Sequence, residues 1–324
     1  MQCSPDSANQ NSGDSSLPMF KPPALRPDDT IGIIAPGSPI TAEQLAAGVQ
    51  ELERRGFQTR YREDILAAER YLAGSLERRL TEFYELWEDP RVRAVIAARG
   101  GYGCQHLLPF LDVTRLRRHP KILVGYSDLT ALQLFLVQDC ELVTFHGPMV
   151  TKDFAEGPAH YDWDSFERIL CHTTPQGVLT SPGTSTLIGG TATGRLVGGC
   201  LSLIAALIGT PWQLETQHSI LFLEDVAERP FRLDRMLHQM KLAGMFEQVR
   251  GILFGEMYDC TIPADAGYQL EDLCFDLIKD IGVPTLFGWQ SGHSPMKNRT
   301  LPLGIQVKLD ADRQEVELLE AAVK

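Results

Sequence analysis

A serine stands where a buried strand is predicted to give way to a helix. Ser127 lies in the tetrapeptide Gly125-Tyr126-Ser127-Asp128, between the apolar run 122–124 and the helix-like stretch 129–137. A serine at such a turn can be held out of the sheet as a nucleophile, with amides of the new helix pointing at the group that it attacks. Serine also commonly caps a helix, so these residues alone leave both roles open. Hydrolysis would require a base and an oxyanion site from elsewhere in the chain.

A glycine-rich loop follows the apolar run 94–98. In Arg99-Gly100-Gly101-Tyr102-Gly103, three glycines in four positions allow positive φ angles and bring N–H groups close to a ligand. The loop suits an oxyanion or a phosphate. It lacks the Gly-Lys-Ser/Thr ending of a P-loop and the full G-x-G-x-x-G pattern, so it is only a weak nucleotide signal. A tight turn without a ligand is the alternative.

Carboxylates follow a third apolar run, 221–223. Glu224 and Asp225 come directly after it, and Glu228 comes three residues later. A carboxylate in this place can orient a histidine and stabilise its charged form during catalysis. An acidic cluster at the start of a helix, before Pro230, explains the same residues without chemistry.

Two histidines are candidates for the base. His293 lies in the glycine-rich loop 288–298, and a loop histidine can turn Nε2 toward a serine while its Nδ1–H meets a carboxylate. His146 competes with it, because the segment 145–148 (Phe-His-Gly-Pro) marks another strand end. A surface histidine with no catalytic role is the third interpretation for His293.

The candidates follow one another as Ser127, Glu224 and His293, which is the chain order of the α/β-hydrolases. The turn around the serine differs from theirs. The hydrolase pattern G-x-S-x-G would place glycine where this chain has Leu129.

The elements that must position these residues alternate between strands and helices. The predicted strands of the first half are 59–61, 94–98, 122–126 and the run 30–38, which ends in turn residues. Its predicted helices are 41–55, 75–87, 105–111 and 129–137. The second half has predicted helices at 200–208, 231–243 and 270–281 and predicted strands at 219–223, 251–254, 303–309 and 315–319. This alternation predicts parallel sheets covered on both faces, with ligands at the carboxyl ends of the strands.

The length of 324 residues suggests two domains. Residues 1–18 are small and polar with no apolar core, which predicts a disordered tail rather than a secretory signal. We expect a nucleophile domain over 19–165, a linker rich in Pro, Gly, Ser and Thr over 166–190, and a second α/β domain over 191–324 that carries the acid and the histidine.

Composition narrows the class of protein. Hydrophobic residues make up 44% of the chain, charged residues 22%, and the mean hydropathy is −0.11, as in soluble globular proteins. The formal charge of −12 argues against a nucleic-acid partner, and no apolar run is long enough to span a membrane. The seven cysteines show no Cys-x-x-Cys pair, so we expect reduced thiols, no metal and no cofactor.

Five motifs in order resemble the LD-carboxypeptidases of serine peptidase family S66. They are residues 98–103, 124–128, 145–148, 223–225 and 292–298. The resemblance covers about residues 25–310 and implies an N-terminal flavodoxin-like domain, a C-terminal α/β domain and an active site in the cleft between them. It also implies a cytoplasmic enzyme, usually a homodimer, that releases the terminal D-alanine of murein tetrapeptides during cell-wall recycling.

The resemblance implies a role for each motif residue. Ser127 is then the nucleophile, His293 the general base and later acid, and Glu224 the residue that orients His293. Asp225 and Glu228 are less favoured substitutes for Glu224. The oxyanion hole consists of backbone amides, and they belong to Gly100, Gly101 and Asp128.

A carboxypeptidase must also hold a free terminal carboxylate, which needs a cation or a cluster of amides. The candidate is Arg99 beside the glycine loop, with Arg232 and Lys297 as weaker options, all chosen because they lie close to the motifs in sequence. Tyr102 is a further substrate-binding candidate. The expected partner is a murein peptide.

Two other functions compete. The microcin C immunity peptidases resemble these enzymes but cleave an amino acid from a nucleotide-like group, and Trp212 or Trp289 could stack on the base. A non-enzymatic protein that binds a small ligand or nucleotide would use Gly100–Gly103 as an anion cradle and Ser127 as a helix cap.

Overall fold

Two β-sheets organise residues 19–263 and 265–324, the part of the chain that the computed structural model describes. In chain order the strands are β1 (Thr30–Ile34), β2 (Gln58–Arg60), β3 (Val92–Ala97), β4 (Ile122–Gly125), β5 (Thr144–His146), β6 (Gly177–Thr180), β7 (Ser185–Ile188), β8 (Thr191–Cys200), β9 (Ser219–Val226), β10 (Gly251–Tyr258), β11 (Thr285–Trp289), β12 (Leu301–Leu303), β13 (Gln306–Asp310) and β14 (Glu315–Leu318). The helices are α1 (Ala42–Arg54), α2 (Leu76–Glu88), α3 (Val113–Arg118), α4 (Thr130–Gln138), α5 (Trp163–Cys171), α6 (Leu201–Ala206), α7 (Pro230–Leu242) and α8 (Leu270–Ile278). Short 3-10 turns cover Cys104–His106, Leu108–Phe110 and Ser127–Leu129, and a π-helical turn covers Val150–Phe154.

The first sheet has six strands in the order β12-β5-β4-β3-β1-β2. All its neighbours run parallel except β12, which is antiparallel to β5. The order β2-β1-β3-β4-β5 is that of flavodoxin, so the predicted flavodoxin-like domain is confirmed. Strand β3 (VRAVIA) is buried along almost its whole length because helices cover both faces of a parallel sheet.

The second sheet has eight strands in the order β6-β14-β13-β8-β9-β10-β11-β7. Its centre, β8-β9-β10-β11, is parallel, and antiparallel strands complete both sides. This mixed sheet confirms the predicted second α/β unit.

The predicted linker, residues 166–190, contains the end of α5 and strands β6 and β7. These strands form the two edges of the second sheet, where a strand pairs on one side only and tolerates polar residues and turns. The chain later returns to the first sheet through β12, so residues 191–324 contribute to both sheets. The predicted tail, residues 1–18 with Cys3, lies outside the described residues.

Local signals account for where several elements begin and end. The expected capping box of α1 is confirmed, because Thr41 and Gln44 exchange side-chain and backbone hydrogen bonds. The single helix expected over 105–111 is instead two short 3-10 turns, since Pro109 has no N–H with which to continue an α-helix.

Helix α4, which follows Ser127, is buried between the two sheets. Its Gln133 amide donates hydrogen bonds to the carbonyls of Gly125 (2.9 Å) and Phe145 (2.8 Å), at the ends of β4 and β5. The six cysteines among the described residues are free thiols, and all but Cys171 are buried. No helix in this part of the chain is long and apolar enough to cross a membrane.

Candidate active site

The turn after β4 holds Ser127 in an unusual backbone conformation. Its φ angle is +61°, in the left-handed region that residues other than glycine rarely adopt. Such strain persists only where the surroundings enforce it, and it concentrates at active sites. Ser127 opens the short turn that leads into α4 and lines a cavity of about 390 Å³.

The glycine loop after β3 lies directly against this serine. A Cβ on Gly100 would lie 2.6 Å from the Ser127 Cβ, closer than real Cβ atoms approach, and 3.1 Å from the Asp128 backbone nitrogen. Gly101 has a φ of +91°, and the Ser38 hydroxyl accepts a hydrogen bond from the Tyr102 amide (3.1 Å). Only glycine fits at positions 100 and 101, because a Cβ on Gly100 would clash with Ser127 and one on Gly101 with Ser38.

The side chain of Asp128 holds the glycine loop in place. Its Oδ2 accepts a hydrogen bond from the Cys104 amide at 2.8 Å, and the carboxyl group is fully buried. Burial raises the pKa of this carboxyl. The backbone N–H of Asp128 is therefore the part of this residue that lies beside Ser127 and Gly100.

A buried arginine from α2, which the motifs do not reveal, also holds the loop. Arg79 is 1% exposed, and its Nη1 donates hydrogen bonds of 2.8 Å to the carbonyls of both Pro36 and Gly103. One guanidinium thus joins the turn after β1 to the glycine loop after β3.

His293 reaches the same cavity from the loop between β11 and β12. Its Nδ1 lies 2.8 Å from Glu224 Oε2, and its backbone N–H donates to the same oxygen at 3.1 Å. Glu224 lies within β9 rather than after it, since the strand runs three residues beyond the predicted end and pairs there with β8. The carboxylate fixes both the ring and the backbone of His293.

The pKa values of this pair move in opposite directions. Burial alone would raise the pKa of Glu224, but the charges of His293 and His146 and the hydrogen bond of His293 bring it below its ordinary value. Burial alone would lower the pKa of His293, but the charge and hydrogen bond of Glu224 raise it above its ordinary value. The pair therefore favours a carboxylate beside a histidine that binds protons readily.

The competing residues have other partners. His146 is fully buried, with Nδ1 3.0 Å from Ser291 Oγ and Nε2 3.6 Å from Glu224 Oε1, and it does not line the cavity. Asp225 accepts hydrogen bonds from the amides of Ser202 (2.7 Å) and Val226 (2.9 Å). Glu228 forms an ion pair with Arg232 (2.6 Å), which occupies both of those side chains.

Some of the predicted site residues line the cavity. Of the candidate residues, it is lined by Arg99, Gly100, Gly101, Ser127 and His293. Tyr102 is outside the lining, because its ring packs on Tyr71 (centroids 5.6 Å apart) and His106 (5.3 Å). Lys297 is exposed and also outside the lining. Within the described residues, no hydrogen bond joins the Ser127 hydroxyl to His293; apo sites often tighten only when substrate binds.

Sequence reasoning missed the rest of the lining. These residues are Gln44 of α1, Tyr126, and Met149, Thr151, Lys152 and Glu156 in and around the π-helical turn. The turn begins just after residues 145–148, a motif that the sequence analysis used only for His146. Among residues 19–263 and 265–324, no three His, Cys, Asp or Glu side chains come close enough to hold a metal ion.

Comparison with known proteins identifies the family. Residues 31–147 match the LD-carboxypeptidase N-terminal domain of peptidase family S66, and residues 193–309 match the C-terminal domain. The chain belongs to the LD-carboxypeptidase family. Membership makes it a serine-type hydrolase and argues against the non-enzymatic alternative.

Relatives of this LD-carboxypeptidase match along nearly their whole length. A probable murein peptide carboxypeptidase of Bacillus subtilis is 34% identical over 307 residues, 94% of this chain and 95% of that protein. The structure of MccF with glutamyl sulfamoyl guanosine matches with a TM-score of 0.85 at 26% identity, over 94% of this chain and 99% of that one. The muramoyltetrapeptide carboxypeptidase of Oxalobacter formigenes gives a TM-score of 0.78 at 29% identity, over 89% and 97% of the two chains.

Proposed function

We propose that this LD-carboxypeptidase releases terminal D-alanine from murein tetrapeptides through Ser127, His293 and Glu224. One observation carries the proposal: a strained serine from the first sheet and a carboxylate-bound histidine from the second half line the same cavity. Murein peptide carboxypeptidases among the relatives support the choice of substrate.

In the proposed reaction the Ser127 hydroxyl attacks the carbonyl carbon of the L,D bond. His293 takes the hydroxyl proton on Nε2, because Nδ1–H is directed at Glu224. The tetrahedral intermediate collapses as the C–N bond breaks, and His293 returns the proton to the leaving D-alanine amine. Water, activated by the same histidine, then hydrolyses the acyl-enzyme.

The oxyanion of the intermediate needs donors that are already in position. We propose the backbone N–H of Asp128 and one N–H of the loop Gly100-Gly101. Support comes from the close approach of Gly100 to both Ser127 and Asp128 N. The hydrogen bonds of Asp128 to Cys104 and of Arg79 to Gly103 also fix the end of this loop. Gly100 and Asp128 are buried, which shields the amides at these two positions from water.

A second candidate is the microcin-immunity type of activity, because MccF has a similar fold over almost the entire chain. Cleavage of an aminoacyl nucleotide benefits from an aromatic face for the base. Tyr126 is the one aromatic residue among those that line the described cavity, and its buried ring packs edge-on against His293, 4.9 Å between centroids. Trp289 is 1% exposed and does not line the cavity. These contacts favour the peptide substrate.

The test uses wild type, Ser127→Ala and His293→Ala with a murein tetrapeptide and with an aminoacyl sulfamoyl adenosine. We expect wild type to release D-alanine, and both variants to lose at least about 10³-fold in kcat. Circular dichroism checks that the variants are folded. Undiminished release by Ser127→Ala would remove the serine mechanism, and cleavage of the nucleotide analogue alone would support the second candidate.

The homodimer and the cytoplasmic location implied by the resemblance remain predictions. Light scattering of the purified protein measures the first, and cell fractionation measures the second.

A further inference from the structure

A lysine outside every sequence motif, Lys152, lines the cavity that contains Ser127 and His293. We infer that Lys152 binds the free terminal carboxylate of the substrate and so restricts the enzyme to cleaving the last residue of a peptide. The inference rests on the proposed function, since it assigns one end of the proposed substrate to one residue.

The π-helical turn that carries Lys152 is fixed to the end of β3. The amide and the hydroxyl of Thr151 both donate to the carbonyl of Ala98, at 2.9 and 2.7 Å. Lys152 comes directly after Thr151, which donates these hydrogen bonds, and Arg99 comes directly after Ala98, which accepts them. Two cations come to the cavity from neighbouring backbone segments, beside the loop that approaches Ser127.

Helix α1 packs against this turn. A Cβ on Gly48 would lie 2.6 Å from the Val150 side chain, so helix and turn are in direct contact. One turn earlier on α1, Gln44 also lines the cavity. The backbone that carries Lys152 is therefore packed against α1.

Lys152 is half-buried and, among the described residues, has no carboxylate within ion-pair distance. Its neighbour Asp153 is buried and accepts hydrogen bonds from Met149 N (2.8 Å) and Asn298 Nδ2 (3.2 Å). Glu156 also lines the cavity, but it is exposed and lies 3.1 Å from His160 Nδ1. Among the described residues the Lys152 ammonium makes no ion pair, and the charge of Asp153 acts on it only at longer range, so a bound carboxylate would supply a direct partner.

Arg99 is the weaker candidate for the same role. It is exposed, and its Nη1 donates to the Pro39 carbonyl at 3.3 Å. An ammonium has no fixed donor plane, so Lys152 can follow a carboxylate on the small leaving residue. A peptide that continues beyond this residue has no charge there for the lysine to bind.

The experiment compares a murein tetrapeptide ending in D-alanine with the same peptide ending in D-alaninamide. Enzymes are wild type, Lys152→Met, Lys152→Arg and Lys279→Met. Methionine keeps most of the length and the apolar stem of lysine but removes its charge. Lys279 is an exposed lysine outside the cavity lining and is the matched control. The readouts are kcat and KM on each peptide, with melting temperatures as the check on folding.

We expect wild type and Lys279→Met to prefer the free acid. Lys152→Met should lose about 10- to 100-fold in kcat/KM on the acid and little on the amide, as expected for a lost hydrogen bond to a charged group. Lys152→Arg should restore part of the preference.

Other outcomes would overturn the inference. If folded Lys152→Met keeps the wild-type preference for the acid, Lys152 does not bind the carboxylate, while the proposed function stands. If wild type cleaves neither peptide, the proposed function fails and the inference fails with it.

Discussion

Ser127 combines a left-handed backbone with a close neighbour, Gly100. A Cβ added at Gly100 would clash with the Cβ and the Oγ of Ser127, at 2.6 and 2.8 Å. The demand for glycine at position 100 therefore follows from the position of one serine. A single methyl group added at Gly100 would therefore disturb the position of Ser127.

The contact between His293 and Glu224 predicts how the activity depends on pH. Because Glu224 raises the pKa of His293, and only neutral His293 can accept the serine proton, kcat/KM should fall as the pH drops through this raised pKa. Glu224→Gln removes the charge, so the acidic limb of the pH profile should move to lower pH. We expect kcat to fall on the order of 10²- to 10⁴-fold at the same time.

Steady-state kinetics between about pH 5 and 9 measure both effects. Glu228→Gln is the matched control, since Glu228 pairs with Arg232 and should leave the profile unchanged. An acidic limb that stays in place in Glu224→Gln would contradict the assignment of Glu224.

Residue types and motif order predicted Ser127, Glu224 and His293, and the structure brings Ser127 and His293 to one cavity and Glu224 to His293. Lys152 could not be found in the same way. It lies on a π-helical turn rather than at a strand end, and a single lysine has no spacing signal. Its position depends on the packing of α1 against that turn.

At the scale of elements, a chain of buried hydrogen bonds joins the π-helical turn to the histidine loop. Asp153 accepts from Asn298 Nδ2 at 3.2 Å, and Asn298 Oδ1 accepts from the Gly292 amide at 2.9 Å. The Tyr126 hydroxyl, one residue before the serine, lies 3.5 Å from Asp153. Burial raises the pKa of Asp153 to about 6, so its charge depends on this network of donors.

Substitutions of Asp153 and Asn298 test this network. Asp153→Asn places an amide where Met149 N and Asn298 Nδ2 both donate, so it should destabilise the protein by about 1–3 kcal/mol and lower kcat. The double variant Asp153→Asn/Asn298→Asp reverses the direction of one hydrogen bond and restores a complete set of donors and acceptors.

We expect the double variant to recover most of both losses, measured by thermal unfolding and by kcat. Equal losses in single and double variants would show that the hydrogen-bond pattern does not position the histidine loop.

The apolar strands at the centres of both sheets were predictable, because buried parallel strands read as short continuous apolar runs. The edge strands β6 (GVLT) and β7 (STLI) were not, since they are only four residues long and lie among segments rich in Thr, Ser, Gly and Pro, as loops do. Pairing with β14 and β11 makes them strands, and pairing partners are not visible in a local sequence window.

At the scale of the whole molecule, the two halves share elements. Strand β12 belongs by sequence to the second half but pairs with β5 of the first sheet. The backbone of Lys324 exchanges hydrogen bonds of 2.9 Å with Ala24 and Pro22. A third link joins the two halves: the hydroxyl of Thr130, in α4, accepts a hydrogen bond of 3.1 Å from the amide of Cys200, in β8.

We therefore expect one cooperative unfolding transition for residues 19–324. The fragments 19–190 and 191–324, cut at the end of the predicted linker, should each lack a cooperative transition, because each loses strands or partners of its sheet. Calorimetry and circular dichroism of the three proteins measure this. Two transitions in the long protein that match those of the fragments would show instead that the halves fold independently.

The hydrogen bond between Thr130 and Cys200 has a consequence for substrate recognition. Helix α4 begins three residues after the serine, and this bond fixes it to the sheet that carries Glu224, so the entropy of bringing nucleophile and acid together is lost during folding rather than at binding. We then expect side-chain rotation to be the only movement needed when a peptide binds. A small substrate can then use its few contacts for affinity, and we expect its association to occur in one kinetic step without a slow rearrangement of the halves.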